Sequence, residues 1–533
     1  MTQENHIPEK EQPPLPLAAQ KTPWWFLLGL YVLGVIVLSL LAYRVAGPLD
    51  VDGAYYFLVA RNLAQGRGLA VDALWHFFQP TTELPQPAGD LWMPVASLLM
   101  TPALLIGETF RHAQGAQVLL AALLPLLAFK IARDEGASLP WATLAGFFTL
   151  LAGTVTVHWV DTDSYTAHAL VGGMALYAMG RGFRKPRWLI AGGLLGGLAA
   201  LTRNDGIVLL GVLWAFGLLA SLQKKEHPPW RDLLLGTLLF ALPVLLWNLR
   251  NVIVFGEPNP ASLGFLLTMR RYNDILAYQP QADWAGFWEQ GLGSLLALRG
   301  RSLQATLTVF GALLQFWGLV PFVWATTRLR RRPALWPAFL YLAGLFLALN
   351  GLFPFLVLHG TWSRSVTAFL PTAYACVALG MQAIVEKLLH WRPNLPARLL
   401  HHTFLMLAFT GTVLVGVSAI ALQLEPALDH PHTWQQVGSW LQENSTPDEV
   451  IMAQDPMSTV LYGERRAVGI PFEEPALFYR VSQDYGVSKI VLVGRFQNLL
   501  PSFLQDLYQN AASQPPFTLL WQEGEIQIYE LEP

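Results

Sequence analysis

Two acidic pairs stand out in a chain that is sparing with charge. The stretch "PLDVDGAYYFLVARNLAQGRG" (48–68) places Asp50 and Asp52 two residues apart just after an apolar run, and "HWVDTDSYTAHAL" (158–170) repeats the spacing with Asp161 and Asp163. A carboxylate at such a place can act as a general base or bind a cation; the plainer readings are a solvated loop acid or, for Asp163, the cap of a helix starting at Ser164. Ionisable groups near membrane depth tend to mark sites, which favours the first reading for the pair Asp50 and Asp52. Basic residues close other apolar runs: Arg203 in "LTRNDGIVL", Arg250 in "LRNVIVFGEPNP", and His359 and Arg364 in "LHGTWSRS". Arg203 can equally form a self-contained pair with Asp205. Arginine binds phosphate well, so acids and arginines gathered together suit chemistry on a phosphate-linked substrate: a carboxylate to deprotonate an acceptor and cations for the leaving phosphate. Tyr56, one of two tyrosines following Asp52, joins the binding candidates. His76, among aromatics in "LWHFFQP", reads more simply as interfacial packing.

The elements that must position these residues follow from composition. Of 533 residues, 53% are hydrophobic and 13% charged, against about a quarter charged in soluble domains. This is a polytopic membrane protein with some soluble mass. A net charge of -2 with no basic domain argues against a nucleic-acid partner. The single cysteine, Cys376, lies in an apolar run, so a disulfide within the chain is excluded and the thiol reads as structural. Residues 1–23, polar and proline-rich, are expected to be a disordered cytoplasmic tail.

Apolar runs of spanning length number about eleven, near 24–46, 112–132, 138–157, 164–180, 188–202, 206–222, 233–255, 303–327, 335–357, 366–386 and 402–422. In the short run 188–202, the glycine pairs 192/196 and 193/197 suit close helix packing. Lys130, Arg133, Arg181, Arg184, Lys185, Arg187, Lys224, Lys225, Arg231, Arg328–Arg332 and Lys387 fall on one set of loops, with Arg392 and Arg398. The positive-inside rule then puts the N-terminus in the cytoplasm and the C-terminus outside. "DLWMPVASLLMTPALLIG" would reverse that scheme if it crossed, so it is read as a helix along the outer surface. The outer face collects 47–111, 160–163, 203–205, 256–302, 359–365 and the tail. From about Asp429 the tail alternates strand-like runs ("DEVIMAQDP", "SKIVLVG") with helical ones and ends in a hairpin near Glu523-Gly524, giving a small α/β domain assigned to 426–533, after a transmembrane domain 24–425. No glycine-rich dinucleotide fingerprint, P-loop, G-x-S-x-G elbow or His/Cys metal cluster is present.

In this order and placement the segments "DGAYYFLVARNLAQGRG", "PAGDLWMP", "DTDSYTAHALVGGMALYAM", "GGLAALTRNDG" and "LWNLRNVIVFGEPNP" resemble the GT-C superfamily of polytopic glycosyltransferases, in the branch of protein O-mannosyltransferases, aminoarabinose transferases and Rgt-type enzymes. The resemblance implies Asp52 as the catalytic acid of the first outer loop and Asp163 as that of the second. Asp50, Asp161, Tyr56, Arg203, Arg250, Arg364 and His359 would be substrate-binding. Asp50 and Asp161 complete two D-x-D patterns that admit a divalent metal; the branch is held to work without one, whereas oligosaccharyltransferase relatives use one. The lysine of the aminoarabinose-transferase pattern is missing, and Gly89 and Asp90 stand in its region. The implied reaction is inverting transfer of a sugar from a polyprenyl-phosphate donor to an extracytoplasmic acceptor (glycan, lipid or protein) in the plasma membrane. The other readings of the residues are a secondary transporter or lipid flippase, for which neither internal repeats nor midplane charges are evident, and a non-catalytic receptor for lipid-linked sugars.

Overall fold

The computed structural model describes residues 22–81, 83–511 and 514–532; the expected disordered tail lies almost wholly outside them. Among the described residues, seven helices are long and apolar enough to cross a membrane, and eight if one bent pair is counted as a span. These eight correspond to eight of the eleven expected runs. The other three differ for identifiable reasons. Tyr165–Gly182 is sheathed by its neighbours and carries polar groups such as His168. Trp188–Ala200 has only 13 residues. The run 303–327 is not one helix: Gly291–Leu313 starts inside the expected outer loop and stops before Gln315 and Phe316, both with positive φ, and Leu319–Thr326 resumes after the break. Gly193 and Gly197 lie flush against the backbone of helix Trp230–Phe255 at Gly236 and Phe240, with no room for a Cβ, which is the close packing the spacing suggests.

The bent pair matters to the site. Leu139–Leu150 and Gly153–Val160 meet at 67°. The bend falls at Gly153, whose φ of +68° only glycine adopts cheaply. It aims Asp161 and Asp163 back across the end of the bundle. On the first loop, Asp50 caps helix Val51–Ala64 by accepting the Gly53 N–H at 2.9 Å. The surface element expected over "DLWMPVASLLMTPALLIG" is a ten-residue helix, Val95–Leu104, too short to cross.

The soluble mass is built on a six-stranded sheet in the order Ala73–Leu74, Arg466–Gly469, Val450–Ala453, Val487–Val493, Ile526–Leu531, Phe517–Glu523. The first three joins are parallel and the last two antiparallel, with the expected closing hairpin. One edge strand is donated by the first outer loop. The division expected at 425/426 falls inside a single helix, Ala397–Asn444, which runs from the apolar layer into the sheet region through Pro426 and Pro431. Composition changes where the helix becomes polar, not where the chain turns. Cys376 is buried and free.

Candidate active site

Two segments that are far apart in sequence converge on Arg364. It sits on the short helix Thr361–Ser365. Its Nε donates to Asp163 Oδ2 at 2.8 Å, and its Nη2 donates to Asp50 Oδ2 at 2.5 Å and lies 3.1 Å from Asp52 Oδ2. The guanidinium also lies over the Tyr165 ring, 5.4 Å from its centroid. A planar fork of five donors can serve several carboxylates at once, which a lysine cannot do. The carboxylates are not equivalent. Asp163 is fully buried, whereas the side chains of Asp52 and Asp50 are 21% and 31% exposed. Asp52 and Asp50 therefore line the open side of the cluster and Asp163 forms its floor.

Asp52 is held from a second direction. The Trp92 indole N–H donates to its Oδ1 at 3.1 Å, and Trp92 is itself stacked on Tyr55 at 4.2 Å. Burial lifts the Asp52 carboxyl to about 7; Arg364 opposes that rise, and the charges of Asp163 and Asp50 add to it. Burial raises Asp50 as well, against the pull of Arg364. For Asp163 burial acts in the same sense, but the Arg364 charge and hydrogen bond outweigh it and hold the carboxyl below its ordinary value.

The D-x-D pairs do different jobs. Asp161 does not reach Arg364. It accepts the backbone N–H groups of Thr162 at 2.7 Å and Leu49 at 3.4 Å, and the Thr162 hydroxyl donates to the Gly53 carbonyl at 2.7 Å. Asp161 thus ties the second acidic turn to the first loop. Burial, with the charges of Asp50 and Asp163, lifts its carboxyl well above the usual range. The carboxylate expected to bind substrate at Asp161 is thus engaged by backbone N–H groups in this structure. Asp50 and Asp52 of the first D-x-D and Asp163 of the second surround the Arg364 guanidinium. Among the described residues no group of three or more His, Cys, Asp or Glu side chains is arranged to hold a metal ion.

The other candidates divide into three places. Arg203 pairs with Asp205 at 3.2 Å, as the plainer reading has it, and reaches Ser164 at 3.5 Å and Ser365 at 3.4 Å behind the cluster. Ser365 donates to Asp205 in turn. Tyr56 is buried beside Ser164, Asp163 and Asp52. His359 stacks on Tyr272 at 3.7 Å, and Tyr272 brings the loop 256–302 beside Asp52 and Asp50. Arg250 stands apart. It lies on Trp247 and Phe255, donates to Asn251 at 3.0 Å, and abuts the Gly89 turn. Gly89 N–H donates to the Tyr55 hydroxyl, so Arg250 reaches Asp52 only through Tyr55 and Trp92. His76 is buried, 3.5 Å from Asp90 and packed on Phe78 and Trp92. Trp92 and Tyr272 escaped the sequence reading. Their aromatic rings blend into an interfacial belt, and no local spacing links them to Asp52.

No protein-family model matches the sequence, and no curated protein matches it by sequence. The fold does have solved counterparts. ArnT from Cupriavidus metallidurans in the apo state aligns with a TM-score of 0.61 and 14% identity over 95% of this chain and 98% of that one. The same protein bound to undecaprenyl phosphate gives 0.61 and 15% over 96% and 98%. The Archaeoglobus fulgidus oligosaccharyltransferase in the apo form gives 0.53 and 13% over 89% of this chain and 70% of that one. The chain has the GT-C fold of these polytopic membrane proteins.

Proposed function

We propose that this protein is a membrane glycosyltransferase that moves a sugar from a polyprenyl-phosphate donor to an acceptor outside the cytoplasm. The observation that carries the reading is Asp52: a carboxylate on the open side of a buried acid–arginine cluster, with its proton affinity raised towards neutrality. A general base works best when its pKa lies near the working pH. The fold, shared with a protein whose structure holds undecaprenyl phosphate, supports the donor class.

The chemistry follows from charge. Asp52 takes the proton from an acceptor hydroxyl. The freed oxygen pair attacks the anomeric carbon as the bond from that carbon to the phosphate oxygen breaks, and a single displacement inverts the centre. The polyprenyl phosphate leaves with one more negative charge, so it needs a cation more than a proton. Arg364 is already shared among three carboxylates and Arg203 is matched by Asp205. Arg250 forms none of the described ion pairs, with Asp90 acting on it only from farther off, which suits it to the phosphate. Arg364 supplies the positive charge between Asp50, Asp52 and Asp163, and we assign Asp50 and Asp163 to keeping that guanidinium, and through it Asp52, in place. On this reading the first D-x-D needs no divalent metal, and turnover survives chelation.

Reconstitution in liposomes tests the reading. With a sugar carried on undecaprenyl phosphate, the protein should release undecaprenyl phosphate and form a new glycoside. Movement of the lipid-linked sugar across the bilayer without a glycoside would make it a flippase and refute the proposal.

A further inference from the structure

We propose that the sheet region of the tail is a positioning element for the first acidic loop and acts on it through His430. His430 lies on Ala397–Asn444, where that helix passes the start of the loop, and it is buried. Its Nε2 is 2.8 Å from Asp455 Oδ2 and its Nδ1 is 3.3 Å from the Pro48 carbonyl oxygen. The other oxygen of Asp455 accepts the Ser458 N–H at 2.9 Å and caps helix Pro456–Gly463. The imidazole thus bridges a carboxylate of the tail and a backbone carbonyl of the loop, one at each ring nitrogen. The ring therefore ties that helix cap to the backbone two residues before Asp50. The charged groups around it are Asp455 from the capped helix and Asp50 from the loop; Trp434 and Phe496 complete its surroundings with apolar rings. Burial raises the Asp50 carboxyl, and after Arg364 the His430 charge is among those opposing that rise.

The grip is the third of three on one short segment. Asp161 holds Leu49, Arg364 holds Asp50 and Asp52, and His430 holds Pro48. Two further contacts come from the same region. Gly47 is pressed against the Tyr462 hydroxyl with no room for a Cβ, and Gly469 is pressed in the same way against the Trp75 carbonyl, beside the shared edge strand Ala73–Leu74. This makes His430 a positioning residue for Asp50 and Asp52. The catalytic part of the claim rests on the transferase reading, but the structural part does not.

Hydrogen exchange on the full protein in nanodiscs, read by mass spectrometry, tests it with His430→Gln. Exchange over residues 46–53 should rise by about tenfold or more as the imidazole bridge to the Pro48 carbonyl is lost, while strands Val450–Ala453 and Val487–Val493 stay protected. Asp455→Asn keeps an acceptor for Ser458 but removes the carboxylate, and should loosen the same segment alone. Glycoside formation should fall about tenfold in both variants while binding of undecaprenyl phosphate stays within about twofold, since the donor phosphate is held elsewhere. Unchanged exchange over 46–53 would overturn the proposal. Loosening of the strands together with the loop would also overturn it, showing a merely structural role. If 46–53 loosens alone and the wild type forms no glycoside, the transferase reading falls and the positioning role stands.

Discussion

At the residue scale, everything turns on how one guanidinium divides three carboxylates. Asp52 must be ionised to act as a base, and burial has raised its pKa to about 7. The rate at subsaturating donor should therefore climb as pH rises through about 7 and level off above it. The measured midpoint belongs to the whole cluster, because Asp50 and Asp163 share the same field. The sign for stability is the reverse. A folded pKa above the unfolded value of ~3.9 means that the folded state binds this proton more tightly, so Asp52 costs stability as pH rises from there through about 7. Asp163 is lowered, so its contribution is present above the unfolded value and lost in acid. Thermal unfolding of Asp52→Asn should accordingly lose less stability than the wild type between pH 5 and pH 8. The gathering of Asp52, Asp163 and Arg364 was legible in residue type and in their place at the ends of apolar runs. The division of labour within D-x-D was not: whether Asp161 or Asp163 meets the arginine depends on the 67° bend at Gly153.

At the scale of elements, the site is a meeting of helix ends. Arg364→Ala should leave Asp163 buried beside uncompensated acids and cost about 3–5 kcal/mol, read as a lowered unfolding temperature in detergent. Arg364→Lys keeps the charge but not the fork and should still lose most activity. The turn that holds Asp50 is just as exacting. A Cβ at Gly53 would come within 3.0 Å of the Asp161 carboxylate. Gly53→Val should push Asp161 off Leu49 and reduce turnover at least tenfold with donor binding retained, a split that glycoside-formation kinetics would show. Most elements followed from periodicity and run length, including the strands at 450–453 and 487–493. The break after Leu313 did not, because Gln315 and Phe316 carry no turn signal in their types; their positive φ comes from tertiary packing. The two-residue strand at Ala73 was also illegible, since it is a strand only because Arg466–Gly469 lies beside it.

At the scale of the whole molecule, the segments assigned from their charges to one face do assemble at one end: 47–53, 161–163, 203–205, 272, 359–365 and the tail. The basic loops gather elsewhere, where Lys130 and Arg181 pair with Asp134. Which end faces the cytoplasm is our proposal from the lysine and arginine bias. The only native cysteine is buried. Single replacements at exposed positions can therefore test it: Asp448→Cys should react with an impermeant maleimide added to intact cells, and Lys185→Cys should react only after lysis. The reverse pattern would invert the topology. The GT-C arrangement was readable from the order of loops and spans, whereas the integration of the tail sheet with the first loop required long-range pairing that no local pattern encodes.

The central claim is that Asp52 is the base of a glycosyl transfer. Mass spectrometry of envelope glycans and lipids should be compared in cells with the wild-type protein, without it, and with Asp52→Asn at equal abundance. We predict a glycosyl mass increment that appears only with the wild type and falls at least ~10²-fold in Asp52→Asn, the scale of a lost general base. An increment formed equally well by Asp52→Asn, or none that depends on the protein, would contradict it.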